Sequence, residues 1–204
     1  MRGAALFISL AAGFLASSAM AEPLTFRKLG ASSTREAVLK VFPTAITKNY
    51  CKSGQRLESS SEGNTLCDKL LVEPYTLDGL NFQAGFIFAP DGRLRYVNLI
   101  KSYGRYGSEE GLVSLSEIKT DYASLQDLLL SKYGPSTRDP LQFGVGDYSG
   151  EMRWQPGRGT ELQSGGDRIS LNWSARESLK TPGRYRGTIQ IFYTFAKVTE
   201  FDKF

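Results

Sequence analysis

Alternating hydrophobic and polar positions predict several β-strands along this chain. From Leu80 to Phe88, apolar side chains recur at every second position, as they do on one face of a strand. Pro90-Asp91-Gly92 then favours a tight turn, because proline presets φ and glycine accepts positive φ. We therefore predict a hairpin whose second strand covers residues 93–101. The same two-residue period predicts further strands at 70–75, 152–154, 169–175 and 189–195.

Two other segments have the three- and four-residue spacing of an amphipathic helix. The first, at 34–42, begins with a capping box in which Ser33 caps the helix and Glu36 reaches back to it. It ends before a proline, because the residue preceding proline avoids the helical region. The second helix, at 118–133, ends at a glycine followed by a proline.

The order of these elements is helix, strands, helix, strands. It predicts an α+β fold, in which an antiparallel sheet has helices packed on one face and consists of two successive helix-then-strands units. We expect residues 22–107 to form the first unit and residues 108–204 the second, within one continuous domain. Residues 1–21 are expected to be removed as a signal peptide.

The expectation of a signal peptide comes from the pattern at the N-terminus. Arg2 precedes a short apolar run at 4–15, and Ala19-Met20-Ala21 forms a small-x-small cleavage site. Cleavage after Ala21 predicts a periplasmic or secreted protein; the alternative is a buried N-terminal helix. Glu22 stands where a lipoprotein would need cysteine, so we expect no lipid anchor. Since no later segment is apolar for long enough, the chain is not expected to span a membrane.

Cys51 and Cys67 predict one disulfide bond. An even number of cysteines in an exported chain indicates pairing, and the span between them contains a polar stretch at 59–64 that is typical of an exposed loop. The alternative is a reduced pair with a redox or metal-binding role. The spacing is not that of a C-x-x-C motif, and no other soft ligand is nearby in the sequence.

The complete absence of histidine excludes several functions. Ser-His-Asp and Cys-His catalysis, as well as histidine-based metal sites, all require it. We therefore expect no cofactor and no metal. The net charge is +4, or +3 once Arg2 has been removed with the signal, and the charges are dispersed. A net positive charge this small does not indicate a nucleic-acid partner.

Short motifs along the mature chain resemble a loose group of small exported bacterial proteins of unassigned function. They are Leu29-Gly30-Ala31-Ser32, Phe42-Pro43, the cysteine pair, Asp91-Gly92-Arg93-Leu94 and Lys132-Tyr133-Gly134-Pro135. The combination of helix and antiparallel sheet is also similar to the SmpA/BamE-like module of outer-membrane assembly lipoproteins and to β-lactamase-inhibitor repeats. These likenesses concern architecture and imply no catalytic residue.

One stretch interleaves cations with aromatic side chains and is our candidate binding site. It contains Arg93, Arg95, Tyr96, Lys101, Tyr103, Arg105 and Tyr106. Such a surface suits an acidic glycan, a phosphate group or an acidic protein patch, through charge-assisted hydrogen bonds and stacking. The alternative is a half-exposed strand whose basic side chains are simply solvated.

These observations favour a non-catalytic binding or interaction protein of the bacterial periplasm or exterior, with a protein or an acidic glycan of the cell envelope as partner. A second hypothesis is an inhibitor of a secreted or cell-wall-degrading enzyme, in which the loop at 59–64 would enter an active site. A third is a carboxylate-dependent glycoside hydrolase, for which Glu109-Glu110, or Asp139 with Asp147 and Glu151, are the candidate pairs.

Overall fold

The structure is a computed structural model that describes residues 25–49, 68–89, 91–138, 142–144, 147–154 and 167–195. The predicted cleavage site at Ala21, the cysteines at 51 and 67, and the loop at 59–64 lie outside the described residues. Within the described ranges, no helix combines the length and the apolar character needed to cross a membrane.

The described chain is mostly one antiparallel sheet. Seven strands of four or more residues and two shorter ones belong to it. In chain order they are β1 (Ile46–Asn49), β2 (Asp68–Leu77), β3 (Leu80–Phe88), β4 (Leu94–Tyr103), β5 (Thr137–Arg138), β6 (Gln142–Gly144), β7 (Asp147–Trp154), β8 (Arg168–Glu177) and β9 (Tyr185–Thr194). Two helices, α1 (Arg35–Val41) and α2 (Leu115–Tyr133), accompany the strands.

The predicted α+β class is wrong. Among the residues that the structure describes, strand accounts for 48% and helix for only 21%, so this part of the chain is more β-rich than a sheet covered by helices. The prediction overestimated the helical share because it counted each helix and each strand as one element, whatever its length. In the structure α1 has 7 residues, whereas β2, β4, β8 and β9 have 10 residues each.

The sheet consists of two meanders that meet in its middle. The strand order is β1-β2-β3-β4-β9-β8-β7-β5, with β6 also paired to β7. β4 and β9 pair from Tyr96 opposite Thr194 to Tyr103 opposite Gly187. This pairing joins segments that are about ninety residues apart in the sequence, and α2 lies in the connection between them.

α1 is short and begins one residue later than the capping box implies. Its cap is Thr34, whose side chain accepts a hydrogen bond from the Ala37 backbone N–H at 3.4 Å. Ser33 instead accepts from the Gly30 N–H at 3.0 Å. The capping box therefore misplaced the N-cap. Val38 is the fully buried residue of this helix.

α2 begins three residues before the predicted start, with Ser114 as its cap, and ends at Tyr133 as predicted. Its buried residues, Ile118, Leu125 and Leu129, form the stripe that faces the sheet. On the sheet side, Trp173 of β8 lies 5.9 Å from the Tyr122 ring, measured between ring centroids.

The core lies between these helices and one face of the sheet. On β4, β8 and β9 the odd-numbered residues point into it, including Leu99, Leu171 and Ile191, all of which are fully buried. Phe26 packs on Phe86 and Tyr193 of the same face, with ring centroids 5.9 and 5.1 Å away. Both helices therefore lie against the face that the odd-numbered residues of β4, β8 and β9 form.

Candidate binding surface

The cation–aromatic stretch predicted from the sequence is divided between the two faces of the sheet and a loop. Successive residues of a strand point to opposite faces, so β4 directs Tyr96 away from the core and Lys101 and Tyr103 towards it. Arg105 and Tyr106 follow the strand in an exposed loop, where Tyr106 is 95% exposed. The seven residues do not form one surface, and their role in binding stays a prediction.

The arginines of this stretch make contacts within the protein. Asp91 accepts a hydrogen bond from the Arg93 backbone N–H at 3.0 Å, and its carboxylate lies 3.9 Å from the Arg93 guanidinium. Arg95 donates from Nη1 to the Phe195 carbonyl and places its guanidinium carbon 5.7 Å from the centre of the Tyr96 ring. The Arg93 contacts therefore lie within the turn before β4, and the Arg95 contact fixes the start of β4 against the end of β9.

Lys101 and Tyr103 form a polar cluster with Asp121 beneath α2. Tyr103 donates its hydroxyl proton to Asp121 Oδ2 at 2.6 Å, and Lys101 Nζ lies 3.5 Å from the same oxygen. The lysine and aspartate side chains are 22% and 19% exposed. Burial, together with the hydrogen bond to Asp121, raises the pKa of Tyr103. The cluster holds α2 to β4 and keeps the phenol protonated.

The candidate catalytic carboxylates have separate partners. Glu109 accepts hydrogen bonds from Ser178 Oγ at 2.5 Å and Thr181 Oγ1 at 2.8 Å. These bonds, with the nearby Arg186 guanidinium, hold the pKa of Glu109 below its usual range. Glu109 therefore ties the loop after β4 to the loop between β8 and β9.

The remaining candidate carboxylates do not complete a pair in the described part of the chain. Glu151 of β7 forms an ion pair with Arg153 at 2.6 Å. Glu110 is exposed in the loop that carries Glu109. Asp139 lies outside the described residues, and Asp147 is described by its backbone alone.

A different surface emerges on the face of the sheet opposite the core. There the even-numbered residues of three neighbouring strands, β4, β9 and β8, point away from the helices. We call this surface the open face. Its uncharged residues are Tyr96, Asn98, Ile100, Ser102, Thr188, Gln190, Phe192, Thr194, Ser170, Asn172 and Ser174, and Arg168, Arg176 and Arg186 lie towards its two ends. All are half-buried or exposed except Ser170, which is 7% exposed.

The register arranges the open face in rows across the strands. The two central rows are Asn98–Phe192–Ser170 and Ile100–Gln190–Asn172. Directly opposite side chains in such rows are about 5 Å apart, and successive rows are about 7 Å apart. The centre of the face therefore places three amides around one aromatic and one aliphatic side chain. An outer row, Ser102–Thr188–Ser174, adds hydroxyls, and Ser174 and Thr188 share a 3.1 Å hydrogen bond.

Two of these amides have unused hydrogen-bonding capacity. Asn98 Oδ1 and Asn172 Oδ1 are enclosed, and neither has a hydrogen-bond partner among the residues that the structure describes. An enclosed acceptor without a donor costs about 1–3 kcal/mol, so such groups are uncommon in folded proteins. Both oxygens lie on the open face, on either side of β9.

The two central rows of the open face carry no charge on β4, β9 or β8. None of their six residues is ionisable near neutral pH, although 23% of the whole chain is charged. Charged side chains surround these rows: Arg168 continues the Tyr96–Thr194 row, and Arg176 lies opposite Arg186 at the other end. On the adjoining β7, Glu151 and Arg153 lie opposite Asn172 and Ser170 and form an ion pair with each other. The centre of the face thus combines hydrogen-bonding groups of both kinds with apolar contacts and without a formal charge.

The sequence contains only part of the signal for this surface. The strand period shows that Asn172 and Gln190 alternate with core residues, but it does not show that β4 lies beside β9. Comparisons with known proteins add nothing to the geometry: no family model, no curated protein and no solved structure matches the chain.

Proposed function

We propose that this chain is a non-catalytic binding protein of the bacterial periplasm or exterior and that it binds its ligand through the open face. The observation that carries the proposal is the composition of that face. Three amides, several hydroxyls, Ile100 and Phe192 lie together on a sheet surface that is turned away from both described helices. A face that served only for solubility would more commonly have charged side chains at such positions.

Two features of the chain support a role in binding without catalysis. The sequence has no histidine, which is the usual general base near neutral pH. The described candidate carboxylates Glu109 and Glu151 are engaged by separate hydroxyl and guanidinium partners. The location outside the cytoplasm is proposed from the signal-peptide pattern at the N-terminus.

The test is retention of envelope material by the immobilised mature chain, residues 22–204. The double variant Gln190→Ala/Phe192→Ala removes the centre of the open face. Leu179→Ala is the control, because that side chain is fully exposed in the loop between β8 and β9 and belongs to neither candidate surface. We expect the wild-type chain and the control to retain a component that the double variant loses by at least tenfold. Thermal unfolding curves establish that all three proteins are folded.

Two results would contradict the proposal. One is equal retention by the wild-type chain and the double variant. The other is no retention by the wild-type chain above that of an unrelated protein of matched charge. Treating the extract with protease before the assay distinguishes a protein partner, whose retention is lost, from a non-protein ligand, whose retention remains.

A further inference from the structure

We propose that the open face binds an uncharged oligosaccharide, which lies across β4, β9 and β8. This inference rests on the proposed function, because it names the ligand class of the same surface. Three properties of the face carry it: the kind of hydrogen-bonding groups, the placement of the apolar side chains and the lack of charge in the two central rows.

The hydrogen-bonding groups match those of a sugar. Each sugar hydroxyl both donates and accepts a hydrogen bond, and an Asn or Gln amide offers one carbonyl acceptor and two N–H donors in a single plane. Gln190 and Asn172 lie side by side in one row, and Asn98 lies diagonally across from Gln190 in the next row, so the three amides form a band across the face. Successive hydroxyls of a chain of sugars can engage this band.

Two amide oxygens of the band can each accept a hydrogen bond from a ligand hydroxyl. Asn98 Oδ1 and Asn172 Oδ1 have no donor among the described side chains and backbone groups. A small rotation of either amide turns its oxygen outward, where a ligand hydroxyl supplies the missing proton. The ligand then satisfies acceptors that the folded chain leaves unsatisfied, which favours binding.

The apolar side chains lie where a sugar ring needs them. Phe192 lies between Asn98 and Ser170 in its row, and Ile100 lies beside Gln190 in the next row. The faces of a pyranose ring carry C–H groups with partial positive charge, and these pack favourably on the negative face of an aromatic ring. Hydrogen bonds at the edges of the sugar and apolar contact with its face therefore come from neighbouring positions.

The lack of charge in the two central rows selects against a charged ligand. The charged side chains that continue these rows on β7, Glu151 and Arg153, form an ion pair with each other at 2.6 Å. A carboxylate or phosphate placed over the centre would therefore lose its hydration without gaining a cation of its own, which is unfavourable. Arg168 and Arg176 lie in rows outside this centre. An uncharged sugar loses less on desolvation and regains hydrogen bonds from the amides.

The experiment measures binding of soluble oligosaccharides to the mature chain. An array of uncharged oligosaccharides is screened first, and calorimetry with cellohexaose, maltohexaose and chitohexaose follows, with oligogalacturonate as the charged comparison. We expect at least one uncharged oligosaccharide to bind. Gln190→Ala and Phe192→Ala should each lower its affinity by about tenfold, through the loss of hydrogen bonds and of ring contact respectively. Leu179→Ala should bind like the wild-type chain.

Gln190→Glu separates hydrogen bonding from shape, because it keeps the size of the side chain and replaces the amide donor by a charge. We expect this variant to lose affinity at pH 7 to about the same extent as Gln190→Ala. Unchanged affinity in all three Gln190 and Phe192 variants would overturn the proposal, since the sugar would then bind elsewhere.

Failure of the ligand assignment can be distinguished from failure of the proposed function. If no uncharged oligosaccharide binds, or if only oligogalacturonate binds, the oligosaccharide proposal is overturned. Should Gln190→Ala/Phe192→Ala still abolish retention of envelope material in that case, the open face remains a binding surface for another ligand. If retention is also unaffected by the double variant, both proposals fail.

Discussion

Replacing Gly187 by alanine tests the packing of α2 on the sheet. Gly187 lies in β9, opposite Tyr103 of β4 and Ala175 of β8, on the face towards the core. A Cβ atom there would lie 2.6 Å from the Ser174 carbonyl oxygen and 2.8 Å from Ile118 Cδ1. Neither atom has room to withdraw, because the first belongs to the backbone of a central strand and the second to a fully buried side chain.

The expected magnitude follows from two opposing effects. Overpacking a tight interior costs about 1–3 kcal/mol. Alanine also restricts the unfolded chain, which returns about 0.5–1 kcal/mol relative to glycine in a strand. We therefore expect Gly187→Ala to lower the free energy of unfolding by about 1–2 kcal/mol. For a domain of this size, that corresponds to a decrease in Tm of about 2–8 °C.

The matched control is Gly85→Ala in β3. A Cβ at this position meets nothing nearer than 3.6 Å, which is ordinary contact, and neither glycine has a left-handed φ. Only the entropic effect applies, so this variant should be as stable as the wild-type chain or slightly more stable. Thermal and urea unfolding, followed by tryptophan fluorescence and circular dichroism, measure all three proteins. If Gly187→Ala is as stable as Gly85→Ala, the close approach of α2 to β9 is wrong.

Three further predictions concern the polar contacts and the cysteines. Asp121→Ala removes the acceptor of Tyr103 and should lower the free energy of unfolding in urea by about 1.5–3 kcal/mol; a change below 0.5 kcal/mol would show that the cluster does not hold α2. Since two hydroxyls hold the pKa of Glu109 below its ordinary value of 4.5, the carboxylate stabilises the fold above that pH, and this stabilisation is lost as the pH falls through the lower folded-state pKa. The Tm difference between wild type and Glu109→Gln should therefore be present at pH 7 and shrink below pH 4; a pH-independent difference would refute it. Finally, replacing Cys51 and Cys67 with serine should cost about 2–4 kcal/mol in thermal unfolding if they are bonded, and two free thiols in the mass spectrum of the non-reduced protein would contradict the bond.

The elements with strong local patterns were predictable. The hairpin of β3 and β4 follows from strict alternation and a turn with proline and glycine, and the structure places these strands within a few residues of the prediction. α2 was predictable because 19 residues give its apolar stripe several repeats. In contrast, β1, β5 and β6 have only 4, 2 and 3 residues, which is too short to establish any period.

The open face was not predictable, because it depends on a pairing between distant segments. Asn98 and Phe192 are neighbours only because β4 lies beside β9, and no local pattern specifies that choice. The sequence instead drew attention to the run from Arg93 to Tyr106, where cations and aromatics are adjacent in the chain. Successive residues of a strand point to opposite faces. Tyr96 and Lys101 are an odd number of positions apart on β4, so they lie on different faces of the sheet.

The meeting of the two meanders at β4 and β9 has a consequence for how the protein matures. Every complete row of the open face crosses that pair of strands, so neither half of the chain contains the surface alone. Contacts between such distant segments form slowly, because closing a long loop costs conformational entropy before the contacts contribute any stabilisation. The complete open face should therefore form at a late step of folding, once β4 and β9 have paired. A chain whose two halves have not yet joined would contain no complete row of this surface.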